Sequence, residues 1–167
     1  MDFGLIVITI IILALCIVPF VIMARNSKKK EKQILQSLFD LAGKHNYTVS
    51  QFDLWNHAAI GSDEGMNMIF FTKKNKIMEA HEHIRLEDVQ RCRIINSSRS
   101  VSKQGGHGQV IDKLELAFTN YDRTKAETIL NIFDVDGDSL NVTKELYMAE
   151  KWNRLINEKI NTLALKT

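Results

Sequence analysis

An α+β domain carried on one N-terminal membrane-spanning helix is the architecture the sequence predicts, on three observations. Residues 3–24 contain no charged side chain. Between Val49 and Asp134, short runs of alternating apolar residues are separated by clusters of Gly, Asn, Asp and Ser, the pattern of successive antiparallel strands. From Val142 to Leu163, apolar residues return every three or four positions, the pattern of a single amphipathic helix. A run of strands closed by one helix is an α+β order.

The N-terminal stretch comes first. Leu5 to Ile8, Ile10 to Leu15, Val18 and Phe20 to Met23 make a run of about 20 mostly apolar residues, which at ~1.5 Å per residue matches the ~30 Å hydrocarbon core of a bilayer. Pro19 is tolerable there, because a lipid-embedded helix can re-satisfy the carbonyl that a proline frees. A cleavable signal peptide has a basic start, a shorter apolar core and a small-residue cleavage site. Here the only charge before the core is Asp2, the core is too long and no A-x-A pattern follows, while a lipoprotein site at Cys16 is disfavoured by the bulky Leu15 before it and by its place mid-span. Arg25, Lys28, Lys29, Lys30 and Lys32 follow the run directly, which places the C-terminal side in the cytoplasm by the positive-inside rule. These five residues also have the charge to attract anionic lipid headgroups, at about 1 kcal/mol each. The expected divisions are a transmembrane helix at 1–24, a basic juxtamembrane segment with an amphipathic helix at 25–44, and a domain at 45–167.

Composition narrows the function classes. The chain of 167 residues has a formal net charge of +2. Asp2 gives residues 1–24 a charge of −1 and residues 25–33 carry +4, so the remainder is −1. The basicity therefore belongs to the membrane flank, and the domain has no electrostatic footprint for nucleic acid. The two cysteines, Cys16 in the span and Cys92 in the domain, have no route to each other, as suits a reducing compartment. Three N-x-[ST] tripeptides, at Asn46, Asn96 and Asn141, matter only in a eukaryotic secretory lumen.

Within the domain, Ile34, Leu35, Leu38, Phe39, Leu41 and Ala42 fall at helical spacing and predict a helix over 29–44, ended by Gly43 and packed on the strands. One strand is expected from Val49 to Ile60 and an acidic turn from Gly61 to Gly65. The next strand runs from Met66 to Thr72, with Met68 and Phe70 on one face and Ile69 and Phe71 on the other, and turns at Lys73–Lys76. A third strand at 77–86 has Met78, Ala80, Ile84 and Leu86 opposite Glu79, His81, His83 and Arg85. After a corner at Leu86–Asp88 come strands at 89–95, 111–119 and 126–134, with a long, mobile Ser- and Gly-rich loop at 97–109. The final helix sets Leu146, Ala149, Trp152, Ile156, Ile160 and Leu163 on one stripe, and Trp152 is expected to pack on Phe70, Leu116 and Phe118.

This order resembles the pleckstrin-homology-like superfold. Trp55 with Ile60-Gly61-Ser62-Asp63, the corner Ile84 to Cys92, and Glu145-Leu146 with Ala149 to Trp152 carry the likeness. It implies a bent antiparallel barrel or sandwich of about six to seven strands with a C-terminal helix closing one end. The whole chain looks like small bacterial proteins that anchor such a domain in the inner membrane. Phosphoinositide-binding members of the superfamily use basic residues in the first hairpin loop. The loop assigned to that place, Gly61 to Gly65, is acidic, so no such site is carried over.

Motifs that bear chemistry are few. Asp134, Asp136, Asp138 and, at the twelfth place, Glu145 match part of an EF-hand calcium loop. Ser139 stands where that loop needs glycine, and Asn141 where an apolar residue bridges paired loops. An acidic turn whose Asp or Ser caps the final helix is the simpler expectation. His81 and His83, two apart on a strand with Glu79 beside them, face one way and could hold zinc, but read more simply as a solvated strand face. His57 and His107 stand alone. Cys92 has no identifiable partner base. Gly105-Gly106-His107-Gly108 lacks the lysine and helix of a phosphate loop. No catalytic, metal or cofactor residues are assigned, and no cofactor is called for. The expected function is a non-catalytic, membrane-anchored binding or scaffolding module at the cytoplasmic face, with a protein partner the sequence does not name. The alternatives are a calcium-responsive module through 134–145 or an enzyme without a recognisable motif.

Overall fold

The computed structural model describes residues 28–75, 77–103, 106–138 and 142–165, with side chains described except those of 101–103 and 106–109. The membrane span expected at 3–24, with Arg25, lies outside the described residues. No helix among those described is long and apolar enough to cross a membrane.

The architecture is α+β. A helix α1 at 28–44 leads into seven strands and a final helix. The strands are β1 (Val49–Trp55), β2 (Ala58–Asp63), β3 (Met68–Lys74), β4 (Glu79–Arg85), β5 (Val89–Lys103), β6 (Gly106–Asn120) and β7 (Thr128–Asp134), and the helix is α2 (Thr143–Ala164). They form two antiparallel sheets, β1-β2-β3-β4 and β5-β6-β7, joined by a 3-10 turn at Leu86–Asp88. Among the described residues no ladder links the sheets, so these strands do not close into a barrel.

The central strands β2 and β3 are buried on both faces, and the pleat divides the side chains of the first sheet between two cores. Trp55, Ala58, Ile60, Ile69, Phe71 and Ile84 face the second sheet and α2, joining Leu116, Phe118, Leu130, Trp152 and Ile156. Ala59, Met68 and Phe70 face α1, which covers them with Ile34, Leu38 and Ala42. Trp152 therefore shares its core with Leu116 and Phe118 but not with Phe70, which belongs to the α1 side. Two-sided burial is also why β3 opens with four consecutive apolar residues, Met68 to Phe71. Gly61 makes close docking of α1 feasible, since a Cβ there would lie 3.1 Å from Leu38 Cδ2 and 2.8 Å from Val49 Cγ1.

Three boundaries differ from the sequence expectation. The strand expected over Val49–Ile60 is a hairpin, broken at Asn56-His57, where Asn56 takes a φ of 38° and Trp55 pairs with Ala58. A two-residue hairpin needs positive φ, which Asn supplies more readily than most residues. The first hairpin loop is thus Asn56-His57, and the acidic Asp63–Gly65 turn is the second. There Asp63 Oδ1 accepts from the N–H groups of Asn67 (2.7 Å) and Met68 (2.8 Å). Lys73, expected in a turn, is the penultimate residue of β3. Residues 97–103 and 106–109, expected in a loop, extend β5 and β6 into a two-stranded arm, because Lys103 pairs with Gly106 and the ladder runs on, with register shifts between Ser97 and Ser98 and between Val89 and Arg91, to Val89 opposite Asn120. β7 covers β6 only from Lys113 to Phe118.

Candidate functional site

The acidic turn after β7 packs inward. Asp138 Oδ2 accepts from Lys73 Nζ at 2.6 Å and from the Asp134 N–H at 2.9 Å, while Asp134 Oδ1 accepts from the Asp136 N–H at 3.1 Å. Lys73 is 1% exposed and also donates to Asn131 Oδ1 at 2.8 Å. Its position in β3 puts it on the same face as Ile69 and Phe71, pointing between the sheets, where an ammonium survives only with partners. Asn75 Nδ2 reaches Asp138 Oδ1 at 3.3 Å, which ties the β3–β4 turn to the same cluster.

Glu145 is elsewhere. In the first turn of α2 it is buried, with Oε1 accepting from Asn56 Nδ2 of the β1–β2 turn and Oε2 without a protein partner. The four residues of the calcium-loop match are therefore not gathered around one point. Among the described residues, no three of His, Cys, Asp and Glu are grouped as a metal site. The cap expected at α2 also differs. Val142 occupies the N-cap position with no side-chain hydrogen bond.

Asp53 on β1 joins the first sheet to α2, its Oδ2 accepting from Trp152 Nε1 at 2.8 Å and from Lys151 Nζ at 2.6 Å. Cys92 on β5 is held by Asn157 of α2, which accepts from the Cys92 N–H at 3.0 Å and donates to its carbonyl at 2.8 Å. Burial pushes the Cys92 thiol up to about 12, so it is not a nucleophile at neutral pH.

His45, His57, His81 and His83 are shared out along the α1 side of the first sheet. His81 and His83 do face one way, as their spacing predicts, but meet different partners. His81 Nδ1 lies 2.9 Å from Thr72 Oγ1, and its Nε2 lies 3.4 Å from Glu79 Oε1. His83 stacks on His45, just past α1, with ring centroids 3.9 Å apart. Burial, and then the His45 charge, lower the His83 pKa below the usual histidine range, while Glu82 opposes them.

A cavity of about 550 Å³ opens between α1 and the end of β3. Lys30 and Ser37 line it from α1, His57 from the β1–β2 turn, and Thr72, Lys74 and Asn75 from the sheet. Sequence inspection missed it, because it is made by residues up to 45 positions apart on three elements. It could have found Lys73, whose place in the Ile69, Phe71, Lys73 alternation marks it as inward. Comparison with known protein families, with curated proteins and with solved structures gives no match.

Proposed function

We propose that the chain is a non-catalytic, membrane-anchored binding or scaffolding module of pleckstrin-homology-like build, held at the cytoplasmic face of a cell membrane. The observation that carries this proposal is the docking of α1. This helix carries Lys28, Lys29, Lys30 and Lys32 of the basic flank that follows the apolar run, and it is part of a core, with Leu38 wholly buried and Ala42 nearly so. A span followed by such a helix would hold the domain at a short, fixed distance from the bilayer, which is what a scaffold requires. The order of four strands, three strands and a closing helix supports the pleckstrin-homology-like reading. The β5–β6 arm, extending beyond β7, offers unpaired strand edges of the kind that partner strands extend.

The test is affinity purification of the full chain from native membranes, beside a variant with the arm shortened by deleting 99–110. One stoichiometric partner, lost on shortening, is expected. A chain released from membranes by alkaline carbonate, or one that recovers no partner, overturns the proposal.

A further inference from the structure

We infer that the stacked pair His45–His83 is a proton-operated latch, which holds the C-terminal end of α1 on the first sheet and releases it in acid. His45 sits in the turn that leaves α1, and backbone bonds fix it to the helix. Its N–H donates to the Ala42 carbonyl and the Asn46 N–H to the Gly43 carbonyl, each at 3.0 Å. The Tyr47 N–H returns to the Ala42 carbonyl at 3.0 Å, and the Tyr47 ring lies 6.0 Å from that of Phe70. His83 stands on β4 opposite Phe70 of β3. The two imidazoles, 3.9 Å apart with 30° between their planes, therefore meet across the joint between helix and sheet. The side-chain hydrogen bonds of α1 stay inside it, from Gln36 to Asp40 and from Ser37 to the Gln33 carbonyl. Among the described residues no hydrogen bond or ion pair of α1 reaches the sheet. The helix is held by the apolar contacts of Ile34, Leu38 and Ala42 and by the rings at its end.

Neutral imidazoles stack without charge repulsion, whereas two imidazolium rings at this distance repel. Histidine ordinarily gains its proton between about pH 7 and 5. His83 is exposed and His45 half-buried, so solvent protons reach the pair. The neighbours do not offset a second charge. On β4, Glu79, His81 and Arg85 share the face of His83, and Glu82 lies beside it on the other face. On β3 the same face carries Met68, Phe70, Thr72 and Lys74. Glu79, the one carboxylate on that face of the two strands, is paired with Lys74 at 2.7 Å and lies 3.4 Å from His81. Asp63, at the turn into β3, is taken by the N–H groups of Asn67 and Met68. α1 and its exit turn bring Lys44 and Tyr47, and Asp40 is bonded to Gln36. Burial, and then the His45 charge, hold the His83 pKa below the usual histidine range against the pull of Glu82. Docking therefore favours the neutral ring and weakens as pH falls through that range. Two charges about 4 Å apart near a protein surface repel by enough to shift an equilibrium roughly tenfold. Release uncovers Ala59, Met68 and Phe70, the apolar face that α1 covers. The latch belongs to the domain alone, and in an anchored chain it turns a fixed spacing from the membrane into a loose tether.

The experiment is hydrogen–deuterium exchange of the full chain in a neutral detergent at about pH 7 and pH 5, corrected for the pH dependence of intrinsic exchange. Amides of residues 34–44 should lose protection about tenfold at the lower pH, while those of residues 149–160 in α2 keep theirs. His83→Phe keeps a ring against His45 but takes no proton, and should hold α1 protected at both pH values. His45→Phe removes the charge from the other side of the stack and should do the same, so a fold lost in one variant leaves the other to decide. His81→Gln takes a titrating ring off the same face without touching the stack, and should keep the response. Equal protection of α1 at the two pH values in the native chain overturns the inference. A response that survives in a folded phenylalanine variant, or that is lost equally in His81→Gln, overturns it as well, because the stack is then not its source. An equal loss of protection in α2 also overturns it, since the acid effect is then unfolding of the whole domain.

Discussion

Lys73 shows how a charge becomes a structural part. Its Nζ lies between two sheets, and removing one member of a buried ion pair leaves the other unpaired, at a cost of about 3–5 kcal/mol. Lys73→Met should therefore lower stability by an amount of that order, because it leaves the Asp138 carboxylate, 4% exposed, without its cation. Adding Asp138→Asn should recover more than half of the loss, since the amide oxygen still accepts from the Asp134 N–H. Urea midpoints of the two variants check this, and a double variant no more stable than the single one would mean that the pair is not the cause. His83 adds a pH dependence of definite sign. Its folded pKa lies below the unfolded value, so folding favours the neutral ring. Stability is full above the unfolded value of about 6.5 and falls as pH drops through it toward the folded value. Replacement by Gln should flatten the thermal-midpoint profile between about pH 7 and 5. A profile unchanged in His83→Gln would assign the acid sensitivity to other groups. Cys92 provides a packing probe. In a Cys16→Ser background, a thiol reagent at pH 8 should label Cys92 only as fast as the domain opens.

At the scale of elements, the same period that made the two helices legible left the strands ambiguous. A 3.6-residue stripe of Ile34, Leu38 and Ala42, or of Ala149, Trp152, Ile156 and Ile160, has one buried face and fixes both the helix and its orientation. Strand β3 is buried on both faces, so alternation separated Phe70 from Phe71 without saying which one meets α2. The β1–β2 hairpin was missed because Asn56-His57 lacks the Gly that usually announces a two-residue turn. The serines and glycines of the arm favour turns and so predict a loop, while the β5–β6 ladder runs on through them past a register shift between Ser97 and Ser98. Each helix closes a different core, so the two should fail separately. Leu38→Ala should cost about 2–5 kcal/mol through the α1 core. Trp152→Ala should cost about 3–5 kcal/mol through the core between the sheets, with the bond to Asp53 lost as well. The effects should add within about 0.5 kcal/mol in the double variant, because the residues share no cluster. A large coupling energy would show that the two cores act as one.

For the whole molecule, charge placement carries the argument about orientation. The flank at 25–33 holds +4 and the rest of the domain sums to −1, so the domain itself has no strong electrostatic preference for either side. Basic residues count when they lie within about 15–20 residues of a span, and all five of the flank lie within that distance of the apolar run that ends at Ala24. Orientation is thus expected to rest on Arg25, Lys28, Lys29, Lys30 and Lys32 together. A reporter active only in the cytoplasm, fused after Thr167, should be on in the native chain. Replacing those five residues by Gln and adding three lysines between Met1 and Asp2 should move a substantial fraction of the reporter outside. External protease should then cut the domain in intact cells, whereas in the native chain it should not. Cleavage of the native chain from outside would reverse the orientation. It would also remove the cytoplasmic scaffold, because the arm would then face the wrong compartment.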